Sequence, residues 1–470
     1  MRFTRRKLIA GAAGAAGAAA AGAGIYELLD QLADSPERPP VAPPGPEQHL
    51  LDDLAVTEDE GVEIVVPPLH HHIVTGTLLV QARREALLDA QQALERALLG
   101  VDAEHAPTPS GLGLTVAWGL PYFRKYVPAA AERHLPVDVR ASRDRGRRIG
   151  AVSDAIRFPS DPAGVVLEDN DLVILLRSDD REIVDDALQR LLALELFRPT
   201  SMRKGFAGGG FDGRRSLPKR MALAAGVPGA ELIPETAELF LGITSTQRAG
   251  LGPRRIANFE TLAYTDARGG YFEGGTHMAL SHIFEDLEGW YLNFSFAERV
   301  ETTFRPGLDV AEGTQTVPQG PEDVSTRRDV TAGFESTRRI GHSGAIQTTS
   351  RLLEDLIGPD GTPYPKGTAI PHRADFNTLD NPFFWTAHPE RDRWSETPAA
   401  GLHFAVFNPT SDDFNRNRLA MDGVLPGGER LPFPPRDRGQ GLNSVLETTH
   451  RQNFVVPPRR HRSFPLAELL

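Results

Sequence analysis

The chain contains no cysteine. That absence excludes disulfides, thiolate nucleophiles, iron–sulfur clusters and cysteine-ligated haem, so any metal must be held by His, carboxylate or Tyr. A basic excess is missing too: 51 Lys and Arg stand against 63 Asp and Glu, a formal charge of -12. Nucleic acid is thereby excluded as a partner, because phosphate binding draws on a cationic surface. There is no phosphate-binding loop, serine-hydrolase elbow or zinc-protease helix; Gly208-Gly209-Gly210 is not followed by Lys and Ser or Thr opening a helix. The long uncharged run from Leu8 to Tyr26 is mostly Ala and Gly, which supply too little transfer energy to favour a membrane span.

Arg5 and Arg6 precede that run, and small residues at Ala19, Ala21 and Ala23 suit cleavage. Residues 1–30 therefore read as a twin-arginine signal peptide, with the twin-arginine translocase as partner and an extracellular, periplasmic or cell-envelope destination. Export by this route carries folded cargo, often with its cofactor inserted. Six prolines between Ser35 and Glu47 predict an unfolded, semi-extended tether over 31–61. A domain is expected to begin near Val62.

The remaining chain is long enough for two core-forming units or one duplicated unit, and it repeats a pattern. A β-rich stretch, Ile73–Val80, precedes a helix over Arg83–Leu99 with Leu87, Ala90, Leu94 and Leu98 at helical spacing. Strands at Leu112–Trp118 and Asp171–Arg177 and a helix at Arg181–Leu194 complete a β-α-β-β-α order, the skeleton of a ferredoxin-like unit. The second half repeats this with a strand at Gly275–Phe284, a helix from Asp286, a strand at Gly401–Phe407 and a helix ending at Met421. The fold class predicted is α+β, with ferredoxin-like halves at 62–200 and 271–470 whose antiparallel sheets face each other or enclose a ligand. The Gly/Arg-rich segment 201–270 and the stretch 302–400 are too long for plain connections and are expected to be functional loops or lids.

Five motifs then fall in one order along residues 70 to 460. They are Gly111–Leu120 (GLGLTVAWGL), the segment DLVILLRSDDREIVDDALQRLL, Gly274-Gly275-Thr276 with Trp290, GLHFAVFNPTSDDF, and Asn453-Phe454-Val455-Val456-Pro457-Pro458. Together they resemble the dye-decolourising peroxidase family. The resemblance implies two ferredoxin-like domains in a barrel-like arrangement and a haem b held by a proximal His of the second half. It also implies a distal Asp and Arg acting on hydrogen peroxide, with a small organic or porphyrin substrate. Homo-oligomerisation is left open. Residue by residue, His342 in Arg339–Gln347 matches the axial ligand, although a second register puts Ala345 there. Arg373 in Ile370–Asn377 matches the distal arginine. For the distal acid two registers compete: Gly209-Gly210-Phe211-Asp212-Gly213 offers Asp212, whereas Leu239–Thr246 has Ser245 at that place. On this resemblance His342 ligates iron, Arg373 polarises the distal oxygen and Asp212 shuttles the proton; a relative that only binds a ligand or metal between its halves is the rival.

Other histidines carry separate expectations. His70-His71-His72 offers imidazoles to a metal, though adjacent residues of a strand point alternately and at most two converge; a solvated segment is the simpler reading. His282 shares a strand face with Met278 and Leu280 and is expected in the core, and His277 on the surface; His403 shares its face with Ala405 and Phe407, which leaves a pocket position as an alternative to the core. Trp118, Trp290, Trp385 and Trp394 could relay electrons, but core packing accounts for the first two.

Overall fold

The computed structural model describes residues 25–29, 45–59, 62–207, 215–243, 256–317, 323–381, 397–428, 430–434 and 436–470. Eight strands build its centre. The first half supplies β1 (His70–Leu78), β2 (Gly113–Gly119), β3 (Leu172–Ser178) and β4 (Phe197–Phe206). Its antiparallel pairings give the order β4-β1-β3-β2. The second half supplies β5 (Thr276–Glu285), β6 (Phe376–Thr378), β7 (Gly401–Asn408) and β8 (Leu446–Val456), in the order β8-β5-β7-β6. Numbered within its half, each sheet reads 4-1-3-2, the ferredoxin-like order. The two halves are the same motif twice.

The sheets join edge to edge. Strand β8 pairs with β2 through Phe454↔Gly119 and Val455↔Trp118, and β6 pairs with β4 through Asn377↔Phe206. The ring of eight strands is thereby closed, which removes the open sheet edges that invite aggregation. At the second seam a Cβ on Gly205 would lie 2.3 Å from both the Asn377 carbonyl oxygen and the Phe376 ring, so only glycine lets the strands approach.

Alternation along each strand sorts side chains inward and outward. Ile73, Ala117, Val173, Leu175, Leu280, Ala405 and Phe454 pack inside the ring. Outside the first half, helices α1 (Arg84–Glu104) and α2 (Arg181–Leu192) cover the sheet; Leu87, Leu94, Leu98, Ile183 and Leu188 meet Val74, Val116 and Ile174 there. The Asp180 side chain caps α2 by accepting from Glu182 N at 2.9 Å. Around the second half lie α3 (Leu287–Asn293), α4 (His342–Ser350) and α5 (Ser411–Met421). Among the described residues no helix is long and apolar enough to cross a membrane.

Several expectations need correction. His70-His71-His72 is not a solvated segment but the start of β1, with exposures of 1%, 0% and 2%. His71 turns inward against Phe376, ring centroids 4.4 Å apart, while His72 lies outward, 3.7 Å from Asp185. His277, expected on the surface, is fully buried and bonded to Asn453 Oδ1 at 3.1 Å; period-two reasoning placed it outside the barrel but not under the covering layer. Residues of the expected tether also pack. The Gln48 side chain joins Val116 N, Val116 O and Pro457 O, and the His49 ring lies tilted against Phe407, centroids 5.0 Å apart. Of the stretch read as export signal, Ile25, Tyr26 and Leu29 are buried, with the Tyr26 hydroxyl bonded to Asp380 Oδ1 at 2.9 Å. Residues 1–24 lie outside the described residues.

Candidate active site

A cavity of about 220 Å³ lies on the outer face of the second half's sheet, not between the halves as anticipated. The reason is topological: edge-to-edge closure fills the space between the halves with the barrel's own core, and leaves the second sheet's outer face to be roofed separately. The floor consists of every second residue of three strands, Ser281, Ile283 and Glu285 from β5, Leu402, Phe404 and Val406 from β7, and Leu446 and Thr448 from β8. From Leu402 to Asn408 it extends about 20 Å at ~3.3 Å per residue. The roof is α4, through His342, Ile346 and Ser350, and α5, through Phe414, Arg418 and Met421, both at helical spacing. Leu239, Leu241 and Ile243 close one end. They belong to the connecting segment expected to be a functional loop.

His342 opens α4 and is fixed there by its glycine neighbour. A Cβ on Gly341 would lie 2.1 Å from the Phe304 carbonyl oxygen, which accepts from Gly344 N at 2.8 Å. The His342 ring lines the cavity, and its Nδ1 is shut off from solvent with no hydrogen-bond partner. Burial first, then Arg418 and Arg373, push its pKa down to about 4. It is therefore a neutral imidazole, the state a metal requires. An axial histidine is ordinarily oriented by an acceptor at its second nitrogen, and among the described residues none reaches Nδ1.

Arg373 sits on the two-residue strand His372–Arg373, which pairs with β7 at Phe407 and Val406. Alternation turns His372 toward His49, ring centroids 6.3 Å apart, and turns Arg373 into the cavity. Beside it is Arg351, immediately after α4, whose Nε is sealed from solvent without a partner. Burial, then the Arg373 charge, lower the Arg351 pKa to about 9. Two further arginines reach the cavity: Arg451 grips Asp161 at 2.6 and 2.9 Å, and Arg418 holds Asp422 at 3.1 Å and Ser160 Oγ at 2.8 Å. Burial alone would raise Asp161, yet Arg451 and Arg418 bring it below its ordinary range.

At the other end of the floor is Glu285. It is 7% exposed, its Oε2 has no hydrogen-bond partner, and burial raises its pKa to about 8. Sequence reasoning passed over Glu285, Arg351, Arg418 and Arg451. The period of two along β5 could have found Glu285, since it shares a face with Ser281 and Ile283.

The structure brings His342 and Arg373 to one cavity. Asp212, Ser245, Trp385 and Trp394 lie outside the described residues. Trp118 and Trp290 are core residues, each fully buried and bonded through Nε1 to a backbone carbonyl, Arg462 O and Leu241 O, at 2.8 Å. His403 lies inside the ring, not in the cavity. It faces His282 across the strands, with centroids 4.2 Å apart, and His450 is 6.2 Å from His282. Even so, among the described residues no group of three His, Asp or Glu could hold a metal ion.

Fold and site together define a duplicated ferredoxin-like barrel with a buried, arginine-rimmed cavity on its second half. The chain belongs to a family of unknown function, DUF7405, whose model matches residues 68–458. No curated protein matches it. Solved structures similar to it include a DyP-type peroxidase from Cellulomonas bogoriensis, 16% identical, covering 88% of this chain and 95% of that one at a TM-score of 0.49. A DyPB from Rhodococcus jostii RHA1 is 12% identical, covering 85% and 96% at 0.45. A dye-decolorizing protein from V. cholerae is 13% identical, covering 85% and 97% at 0.43.

Proposed function

We propose that this protein binds haem in the cavity above β5, β7 and β8 and acts on peroxide as an exported peroxidase-like protein. The observation that supports this reading is the meeting of His342 and Arg373. Two residues 31 positions apart, matched separately to an axial ligand and a distal arginine, line one buried space. The residues present fit the group. His342 turns a neutral imidazole into the cavity, Ile283, Leu402, Phe404 and Val406 form an apolar floor for a flat ring, and Arg351 and Arg373 supply cations for acidic substituents.

Bound haem would supply the redox chemistry. The chain's own contribution is positional. His342 is held at the start of α4 by the close approach of Gly341 to Phe304, Arg373 is aimed by its pairing with Val406, and the apolar floor excludes water. A fixed guanidinium in a dry site stabilises developing negative charge more strongly than water does.

Protein expressed with haem supplied should show a Soret band. His342→Ala should weaken haem retention, whereas Arg373→Leu should retain haem and lose on the order of 10² to 10³ in peroxide turnover. The reverse pattern would show the two sides misassigned, and no Soret band under any condition would favour a non-catalytic ligand binder. Ser245 at the position of the expected acid in one register is the feature that keeps this second reading.

A further inference from the structure

A carboxyl group facing an apolar cavity without a cation is costly to keep, and Glu285 is such a group. Its strand neighbours on the same face are Ser281 and Ile283, and Leu446 stands opposite on β8. No ion pair reaches it among the described residues, and Oε2 accepts and donates nothing. The charged and titratable groups around it are engaged elsewhere. Tyr291 of α3 donates to the Phe240 carbonyl at 2.7 Å and lies under Arg299, 5.1 Å from its ring. Glu447 of β8 is paired with Arg436 at 2.8 Å, and Asn443 donates to Met421 O and Asp422. Along the strands Arg373 registers through Val406 with Ala279, six residues or about 20 Å from Glu285, and Arg451 registers with Ser281, four residues or about 13 Å away, at ~3.3 Å per residue.

We infer that Glu285 keeps its proton and donates a hydrogen bond to an acceptor oxygen, carboxylate or carbonyl, on the cavity's ligand. The cavity is thus bipolar, with two guanidinium groups at the Arg351–Arg373 end and a neutral acid donor at the other. It selects a flat, apolar ligand with acceptor oxygens at both ends and rejects one presenting a cation to Glu285. The inference rests on the reading of this cavity as a ligand site, but not on iron ligation by His342. Burial supports the protonated state, since Glu285 titrates near pH 8.

Haemin and metal-free protoporphyrin should be titrated by absorbance into wild type, Glu285→Gln and Glu285→Ala from pH 6 to 9.5. The amide of Gln also donates, so Glu285→Gln should bind within about threefold of wild type at pH 7, and Glu285→Ala about tenfold more weakly, the cost of an acceptor left unmet. Between pH 7 and 9 wild-type affinity should fall about tenfold more than that of Glu285→Gln, as a carboxylate comes to oppose the acceptor; the part of the fall that both proteins share belongs to Arg351, whose pKa burial lowers to about 9. A protonated-carboxyl infrared band should be present at pH 7 in wild type, shift on porphyrin binding and vanish in Glu285→Gln. Equal affinity of all three proteins, the same alkaline fall in Glu285→Gln, or no such infrared band would overturn the inference, as would failure of both porphyrins to bind. Equal binding of haemin and the metal-free ring, with the alkaline fall intact, would instead refute iron ligation and leave Glu285 in its role.

Discussion

Replacing Glu285 by Gln should change how stability depends on pH, even with no ligand present. The carboxyl titrates near 8 in the fold against an ordinary 4.5, so the folded state holds its proton where the unfolded chain has released it. A pKa raised on folding contributes stability fully below 4.5 and loses it as pH rises toward 8. Each pH unit in that window is worth about 1.4 kcal/mol, so wild type should lose about 3 kcal/mol by pH 7 and about 5 by pH 8 from this group. Glu285→Gln cannot titrate. Its stability relative to wild type should therefore climb from pH 4.5 to 8 and then level, whatever constant difference the amide introduces. Urea unfolding followed by far-ultraviolet circular dichroism, at half-unit steps from pH 5 to 8.5, measures the difference. A gap between the two proteins that stays flat with pH would mean that Glu285 is ionised in the fold, and the bipolar cavity would fall with it.

Asp161→Ala should cost about 3 to 5 kcal/mol in urea unfolding, because it strands Arg451, 1% exposed, without its partner; a cost under 1 kcal/mol would show that Arg418 and Arg451 do not depend on it. Gly205→Ala should destabilise by at least about 1 to 3 kcal/mol, since its methyl meets the Asn377 carbonyl and Phe376 at the β4–β6 seam. Neutral stability would mean the seam is open. His277 titrates near 4 in the fold against 6.5, so its stability contribution is complete above 6.5 and lost as pH falls toward 4. His277→Gln should accordingly lose about 3 kcal/mol less than wild type over that window; identical acid profiles would refute its burial as a neutral ring.

The duplicated skeleton was legible because its strands and helices carry clean periods. Leu87, Leu94 and Leu98 marked α1, and DLVILLR marked β3 within one residue of its observed span. The fourth strand of the first half was not. Phe197–Phe206 reads FRPTSMRKGF, with Pro, three cations and Gly, because half of it faces the polar interior around Arg203, Ser201 and Glu168 and β4 is stitched to its neighbours by backbone bonds. Likewise β6 is three residues long, below what any period can reveal. In the site, His342 and Arg373 were reachable by motif, whereas Arg351 and Glu285 acquire meaning only when α4 and β5 are folded over one space. The barrel-like arrangement was implied by the family resemblance alone, since the pairs that close the ring, Asn377↔Phe206 and Val455↔Trp118, join residues without any local pattern.

That closure has a consequence for how the chain is made. The first sheet has all four of its strands once Phe206 has left the ribosome, yet the outer edges of β2 and β4 stay bare until Val455 and Asn377 arrive. From Phe206 to Asn377 the nascent protein carries both edges unpaired, and the β2 edge, bordered by its apolar run, stays bare until Val455. Chains interrupted before residue 446 would keep both the β2 edge and the free edge of β5 exposed, and pairing between such chains is the expected outcome. Completion of the last strand is thus the event that turns an adhesive intermediate into a self-contained molecule.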